Sequence, residues 1–206
     1  MEFPAFPKIP RLNRDCVITE KIDGTNGQVN IVPKNTYITG LFDEECRIEV
    51  NDYWIFAGSR SRWVSFKEDN HGFYKWVAEH KDELVTQLGE GQHFGEWWGA
   101  GINKRYPGAP KTFSLFNTLR WTMPKLQKQL TICDVVPVLY EGQFNTSLCN
   151  EYVQIQREQG SLVWPGAKAE GIVVFHKAAG SLFKVTCEKD ESPKGTSHEP
   201  DALSHP

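Results

Sequence analysis

The chain has 206 residues, of which 39% are hydrophobic and 12% aromatic, enough to bury a full core within one domain. Its net charge of −3 excludes a protein that coats nucleic acid through an overall basic surface, so any such contact must use a local patch. No run approaches the roughly 20 apolar residues that a membrane-spanning helix needs, and the proline-broken N-terminus does not resemble a signal peptide.

The first predicted elements are short antiparallel strands. After an extended, proline-rich first dozen residues, CVITEKI (16–22) and QVNIV (28–32) are predicted strands. The segment DGTNG (23–27) between them predicts a tight turn, because Asp-Gly and Asn-Gly favour hairpins. Further strand candidates are NTYITGL (35–41), CRIEV (46–50) and YWIFAGS (53–59).

Two helices interrupt the strands. Apolar residues recur at helical spacing from Phe73 to Leu88, with Gly89 as a stop signal. A second helix is predicted from about Asn145 to Gln159, with Asn145 or Thr146 as its N-cap and Gly160 as its end. The remaining predicted strands are QHFGEWWG (92–99), KTFSLFN (111–117), LTICDVVPVLY (130–140), and a closing pair, EGIVVFH (170–176) and SLFKVTC (181–187).

This order of elements predicts an α+β fold, a mostly antiparallel sheet with flanking helices. We expect one domain over residues 1–187 and a polar, disordered tail over residues 188–206. The cysteines are widely spaced and odd in number, without a CxxC motif: Cys16, Cys46, Cys133, Cys149 and Cys187. This pattern argues against a disulfide framework and a structural zinc site, and reduced thiols favour a cytoplasmic location.

Several charged residues stand where chemistry is possible. Lys21 ends an apolar strand just before a glycine turn, where a side chain can enter a cleft; alone, it is more simply a solvated loop lysine. Glu96 and Lys184 lie within apolar strands, Glu170 begins one, and Arg60 and Arg62 follow another. A charge in an apolar strand is costly unless it is paired or functional, and structural ion pairs remain an alternative for each.

Taken together and in this order, these residues resemble the covalent nucleotidyltransferases, the superfamily of polynucleotide ligases and capping enzymes. The resemblance spans about Thr19 to Lys184. The KxDG motif matches Lys21–Gly24, and the later motifs match Gly58-Ser59-Arg60, Phe94-Gly95-Glu96, Phe116 in TFSLFN, Glu170–Val174 and Phe183-Lys184-Val185. The implied fold is an antiparallel-sheet nucleotidyltransferase core (ATP-grasp-like), here expected to lack a C-terminal OB or helical domain.

One residue favours a particular branch. Ligases that act on DNA and capping enzymes usually carry arginine two residues after the motif glycine, whereas this chain has Asn26. KxDGTN resembles the RNA ligases, particularly the nick-sealing phage type. The resemblance therefore implies ATP, Mg²⁺ or Mn²⁺, and RNA with 5′-phosphate and 3′-hydroxyl ends.

The resemblance also implies roles for single residues. Lys21 would attack the α-phosphate of ATP, and Lys184 would contact that phosphate. The implied nucleotide-binding residues are Glu20, Asp23, Gly24, Asn26, Arg60, Glu96, Phe116, Glu170 and Lys184. Phe116 would stack on adenine, Glu96 would accept hydrogen bonds from the ribose, and Glu20 or nearby backbone would read the adenine amine. Glu170, with Asn26 through a water, would serve the metal.

Some features depart from the family. The last motif has one lysine, and Phe175 stands where a basic residue is common, followed by His176 and Lys177. A DNA ligase-like enzyme, a noncatalytic nucleotide or nucleic-acid binding module, and a core that acts with a partner protein therefore stay open. A basic stretch interleaved with aromatics is a candidate RNA track, or equally a solvated face: Lys104, Arg105, Tyr106, Lys111, Arg120, Trp121, Lys125 and Lys128.

Overall fold

The computed structural model describes residues 3–35, 44–127 and 129–188. In chain order its strands are β1 (Asp15–Lys21), β2 (Thr25–Pro33), β3 (Arg47–Val50), β4 (Tyr53–Gly58), β5 (Gly91–Trp98), β6 (Thr112–Leu115), β7 (Cys133–Val135), β8 (Val138–Gln143), β9 (Gly171–His176) and β10 (Ser181–Thr186). The helices are α1 (Phe73–Glu79), α2 (Lys81–Leu88), α3 (Thr118–Trp121), α4 (Pro124–Gln127) and α5 (Thr146–Gln159). The predicted strand at 35–41 lies, apart from Asn35, outside the described residues.

The strands form two sheets, which confirms the α+β prediction. The larger sheet has the order β3-β4-β2-β5-β6-β7, and the smaller sheet has the order β10-β9-β1-β8. All pairs are antiparallel except β6 with β7, which are parallel. The closing pair was predicted correctly, since β9 and β10 are antiparallel neighbours.

The predicted hairpin at residues 16–32 is wrong. β1 pairs with β8 and β9 in the smaller sheet, whereas β2 pairs with β4 and β5 in the larger one. Asn26 and Gly27 belong to β2, so only residues 22–24 cross from one sheet to the other. A turn signal fixes local backbone geometry but does not decide which strands pair. The KxDG segment therefore joins the two sheets.

The single strand predicted at residues 130–140 is also divided between the sheets. β7 ends before Pro137, which has no backbone N–H for a sheet ladder. The Pro137 carbonyl instead accepts a hydrogen bond from Glu20 N (2.9 Å). The chain then enters the smaller sheet as β8.

The helix predicted over Phe73–Leu88 is two helices. At His80 the backbone leaves the α region, with φ −111° and ψ 21°, and the ring Nδ1 lies 2.9 Å from the Trp76 carbonyl. The prediction for α5 is confirmed, because the Asn145 side chain accepts a hydrogen bond from Ser147 N (2.7 Å) and Gly160 ends the helix.

The core has three parts. One lies under the larger sheet and includes Val29, Ile31, Trp97 and Phe113. A second packs the smaller sheet against α5. A third, around Ile22, Trp98 and Tyr106, lies next to the crossing segment. The KxDG segment is thus held by packed side chains of its own, which fixes where Lys21 emerges.

Candidate active site

Lys21 is the last residue of β1 and forms an ion pair with Glu170. The Lys21 Nζ lies 2.6 Å from Glu170 Oε2, and the two side chains are only 20% and 11% exposed. Lys21 is paired in register with Gly171, the residue after Glu170, so the sheet itself brings amine and carboxylate together across 149 residues of sequence. A partly buried amine beside one carboxylate is a candidate nucleophile.

Position 24 must be a glycine because the structure leaves no room for a side chain there. A Cβ at this position would lie 2.4 Å from the Trp97 carbonyl oxygen and 2.9 Å from the Glu96 side chain. The Gly24 amide also donates a hydrogen bond to Glu96 Oε1 (3.1 Å). The glycine of KxDG therefore lets the crossing segment lie directly on β5, next to the acid of the FGE motif.

Asp23 anchors the crossing segment. Its carboxylate accepts hydrogen bonds from Asn103 Nδ2 (2.9 Å) and Arg105 Nε (3.0 Å), and its amide donates to the Tyr106 hydroxyl (3.1 Å). Arg105 also donates to the Ala169 carbonyl, next to Glu170 (3.3 Å). In this structure Asp23 and Arg105 thus connect the KxDG segment to the chain that carries Glu170.

Glu96 is the buried acid of the site. Besides Gly24 N, its carboxylate accepts a hydrogen bond from Asn26 Nδ2 (3.2 Å). Burial raises the pKa of Glu96 to about 7; the positive charge of Lys21 opposes this shift, whereas Glu170 and Asp23 add to it. Such a perturbed acid, within electrostatic reach of Lys21 and Glu170, is typical of functional sites.

Phe116 lies on the same face of the larger sheet as Glu96. Asn26, Glu96 and Ser114 are directly opposite one another on three neighbouring strands, and Phe116 follows Ser114 by two residues. Phe116 is 41% exposed, and its amide donates to the Phe94 carbonyl. An exposed ring near an acid and an amide is a suitable surface for stacking a base.

Lys184 lies on the same face of the smaller sheet as Lys21. It opposes Val173, which opposes Thr19, two residues before Lys21. It is exposed on the edge strand β10, and among the described residues it has no hydrogen-bonding or charged partner. Its ammonium is therefore free to meet a phosphate.

Glu20 points the other way along β1. It is buried, and its carboxylate accepts hydrogen bonds from the Ser161 hydroxyl and from Leu162 N (2.9 Å). Burial raises its pKa, against the effect of these hydrogen bonds. In this structure the Glu20 side chain fixes the loop after α5.

The two arginines after β4 differ in their contacts. Arg62 forms an ion pair with Glu68 (3.2 Å) and donates to the Glu68 carbonyl. Arg60 is exposed and, within the described parts of the chain, has no such partner. Arg60 is therefore the one of the pair that is available to a ligand.

The predicted RNA track at residues 104–128 is wrong in its aromatic members. Tyr106 and Trp121 are 0% and 2% exposed, so neither ring can stack on a base. Arg105 is engaged by Asp23, and Arg120 donates to the Leu88 carbonyl (3.0 Å). Lys128 lies outside the described residues. Alternation of basic and aromatic residues in sequence did not reveal that the rings face the core.

The two basic residues that follow Phe175 contact other parts of the chain. His176 is buried, with its Nε2 2.6 Å from the Leu12 carbonyl, and Lys177 forms an ion pair with Glu141 (2.7 Å). None of the five cysteines, all of which lie in the described ranges, forms a disulfide. A cavity of about 630 Å³ beside Asp23 is lined by residues 103–105, Pro107 and residues 164–168, and its lining does not include Lys21 or Glu96.

The site offers few protein ligands to a metal ion. Over the described ranges, no three His, Cys, Asp or Glu side chains form a group that could hold one. Three carboxylates nevertheless lie near Lys21: Glu170, Glu96 and Asp23, of which Asp23 is neutralised by Arg105. A divalent ion bound partly by one carboxylate and mostly by phosphates and water fits this arrangement. No helix in the described part of the chain is long and apolar enough to cross a bilayer.

Comparison with known proteins agrees with this geometry. A family model described as RNA ligase matches residues 14–186. A search of curated proteins finds no match. Solved structures of variants of a Naegleria gruberi RNA ligase with ATP and manganese are similar in fold, with 17% identity and a TM-score of 0.57 in one and 15% and 0.59 in another.

These two structures match 84% and 86% of this chain but 49% and 51% of their own. The same ligase with pyrophosphate has 18% identity and a TM-score of 0.55, covering 84% of this chain and 50% of its own. The chain thus spans about half the length of these structures. Since the family model covers most of the sequence, the chain belongs to the RNA ligase family.

Proposed function

We propose that this protein is an ATP-dependent RNA ligase that works through a lysyl-AMP intermediate on Lys21. The observation that carries the proposal is the Lys21–Glu170 pair, 2.6 Å apart where the two sheets meet, with the buried Glu96 close by. The Naegleria gruberi ligases of the same fold were solved with ATP and manganese, which supports this nucleotide and a divalent ion for the present chain.

In the first step Lys21 Nζ would attack the α-phosphate of ATP. A P–N bond forms, the bond to the β-phosphate breaks, and pyrophosphate leaves. The amine must lose its proton first, and Glu170 is the nearest carboxylate to hold that proton or to release the ammonium by turning toward a metal ion. Lys184, on the same sheet face, would neutralise charge on the phosphate.

The face of the larger sheet would hold the nucleoside. Phe116 would stack on adenine, and Glu96 would accept hydrogen bonds from the ribose hydroxyls, which requires Asn26 or Gly24 to share the carboxylate. Because Glu20 is bonded to Ser161 and Leu162, backbone near Glu20 is the better candidate to read the adenine amine. Arg60 is free to contact ribose or an incoming 5′-phosphate.

Mg²⁺ or Mn²⁺, when bound, would neutralise the phosphates and stabilise the charge that develops on them. Glu170 would hold the ion directly or through water. Asn26 donates to Glu96, so its own carbonyl oxygen is left to orient a metal-bound water.

In the second step AMP would pass from Lys21 to an RNA 5′-phosphate, forming a 5′–5′ pyrophosphate linkage. In the third, a 3′-hydroxyl would attack that phosphate and release AMP. RNA is favoured over DNA by Asn26 and by the family match. In this proposal adenylylation uses only residues carried by the two sheets, whereas sealing uses a partner protein or a further domain. The proposed location is the cytoplasm.

The test is a chase in which ATP is absent. Protein adenylylated with ATP and Mg²⁺ is separated from nucleotide and mixed with a 5′-phosphorylated nicked RNA duplex, with a DNA nick of the same sequence as control. We expect AMP to leave the protein and appear on the RNA end, followed by a joined product. Equal transfer to DNA would favour the DNA ligase-like alternative, and AMP that never leaves Lys21 would contradict the ligase proposal.

A further inference from the structure

The segment that leads into β1 has a period of three residues. Residues 3–14 read FPAFPKIPRLNR. Every third residue from Phe3 is apolar, and every third residue from Pro4 is proline up to Pro10. Every third residue from Ala5 is basic, apart from Ala5 itself. The sets are Phe3, Phe6, Ile9 and Leu12; Pro4, Pro7 and Pro10; and Ala5, Lys8, Arg11 and Arg14.

A period of three is the period of the polyproline II helix, which has three residues per turn and rises about 3.1 Å per residue. Three prolines in seven residues fix φ near the value that this helix needs. Residues 3–11 have no helix or strand in the structure, in keeping with such an extended arm. In this conformation the apolar and the basic residues form two separate stripes, with about 9 Å between successive members of a stripe.

Both stripes are uncovered. Phe3, Phe6, Ile9 and Leu12 are 89%, 83%, 79% and 61% exposed. Lys8, Arg11 and Arg14 are also exposed, and their side chains have no hydrogen-bonding or charged partner within the part of the chain that the structure describes. Only the base of the arm is tied down, where the Leu12 carbonyl lies 2.6 Å from His176 Nε2 and the Arg14 carbonyl accepts from Phe144 N.

The charge of the arm points to an anionic ligand. It carries three cations and no acidic residue, in a chain whose net charge is −3. A groove in another protein would need only the prolines and the apolar stripe. Aromatic rings beside regularly spaced cations are instead the combination that holds a single-stranded nucleic acid, with the rings on bases and the cations on phosphates.

We propose that residues 3–14 form an RNA-binding arm that holds single-stranded RNA outside the active site. This inference rests on the proposed function, since the RNA is the substrate of the same ligase. β1 has seven residues, so the base of the arm stands about 20 Å from Lys21. At about 3.4 Å per nucleotide in a stacked strand, RNA shorter than roughly six nucleotides on that side of the joint cannot reach the arm.

The test compares RNA binding with adenylylation in the same proteins. The variant K8Q/R11Q/R14Q removes the basic stripe. The control K67Q/K75Q/K81Q removes three cations from the loop before α1, from α1 and from α2, each of which contacts a glutamate within the chain. RNA affinity is measured by fluorescence anisotropy at several salt concentrations with a 20-nucleotide and a 4-nucleotide 5′-phosphorylated RNA. Adenylylation with ATP and Mg²⁺, which involves no RNA, is measured in parallel.

We expect the arm variant to bind the 20-nucleotide RNA at least about fivefold more weakly than the control, with a salt slope smaller by about 2, because each phosphate contact contributes about 0.7 to that slope. Adenylylation and binding of the 4-nucleotide RNA should match the control. A second variant, F3S/F6S, should lower the affinity for the 20-nucleotide RNA and leave the affinity for the 4-nucleotide RNA unchanged.

If the arm and control variants bind the longer RNA with equal affinity while adenylylation is intact, the proposal that the arm binds RNA is wrong. The two stripes would then fit a protein partner instead. If the wild-type protein shows no adenylylation, the proposed function itself fails. The two outcomes are therefore distinguishable.

Discussion

Glu96 is buried, so the free energy of unfolding depends on whether its carboxyl group is protonated. Because burial raises the pKa of Glu96 to about 7 from an ordinary value near 4.5, the native state binds this proton more tightly than the unfolded chain does. The free energy of unfolding should therefore fall as pH rises from about 4.5 to 7 and change little from this group above that.

Glu96→Gln should remove this dependence. The introduced amide oxygen can still accept from Gly24 N. Its N–H group can donate to Asn26 Oδ1 once the Asn26 side-chain amide, which donates to Glu96 in the wild type, turns over. We expect the variant to be more stable than the wild type at pH 8, by on the order of 2 kcal/mol, and nearly equal to it at pH 4.5. Urea denaturation at both pH values measures this, with the exposed Glu90→Gln as control. A stability difference that is the same at both pH values would refute the assignment.

Lys184 carries a charge that the described part of the chain does not neutralise. It is exposed and without a described partner, so Lys184→Ala should change the free energy of unfolding by less than about 0.5 kcal/mol. The rate of adenylylation should nevertheless fall at least about tenfold, because a cation that stabilises the transferred phosphate is lost. Single-turnover labelling beside Lys67→Ala measures this. Unchanged labelling would exclude Lys184 from the site.

The crossing between β1 and β2 is the element on which the site depends. Gly24→Ala would place a Cβ 2.4 Å from the Trp97 carbonyl and force the crossing off β5. We expect a loss of about 1–3 kcal/mol of stability and a strong loss of adenylylation. Gly108→Ala is the control, since Gly108 has φ +77° but open space around it and should cost only about 1 kcal/mol of strain, without loss of labelling. Normal labelling by Gly24→Ala would show that this packing does not position Lys21.

The crossing between β1 and β2 also marks the limit of what the sequence predicts about the fold. Local signals were sufficient for α5, where Asn145 and Gly160 cap the helix, and for the β9–β10 pair. They failed where pairing is decided by distant packing, as in the division of residues 16–32 between two sheets. Of the candidate site, Lys21, Glu96, Phe116, Glu170 and Lys184 are predicted from motif residues. The structure pairs Lys21 with Glu170, but no measurement yet tests the roles of these residues.

The contacts of Glu20 and Asp23 could not be predicted, because their partners are more than 79 positions away in the sequence. Ser161 is 141 residues from Glu20, and Arg105 is 82 residues from Asp23. From its position between Lys104 and Tyr106, the sequence predicts Arg105 to be part of an RNA track. No local pattern separates an arginine that binds phosphate from one that binds a buried carboxylate.

At the scale of the whole molecule, a bound adenylate would connect the two sheets. Lys21 and Lys184 lie in the smaller sheet, Glu96 lies in the larger one and Phe116 directly follows β6, so a nucleotide held by all four would add contacts between the two sheets. We expect adenylylated protein to melt a few degrees above the AMP-free protein, as 1–2 kcal/mol of added stability implies for a chain of this size. Adenylylated Phe116→Ala should show a smaller rise, and an equal rise would argue against stacking on Phe116.

The central claim is that Lys21 becomes covalently adenylylated, and intact mass spectrometry tests it most directly. The protein is first stripped of AMP with pyrophosphate and Mg²⁺, then incubated with ATP and Mg²⁺ and measured under denaturing conditions beside Lys21→Ala. We predict a mass increase of one adenylate that maps to the peptide containing Lys21 and is absent from the variant. No added mass in the folded wild-type protein, or the same added mass in Lys21→Ala, would contradict it.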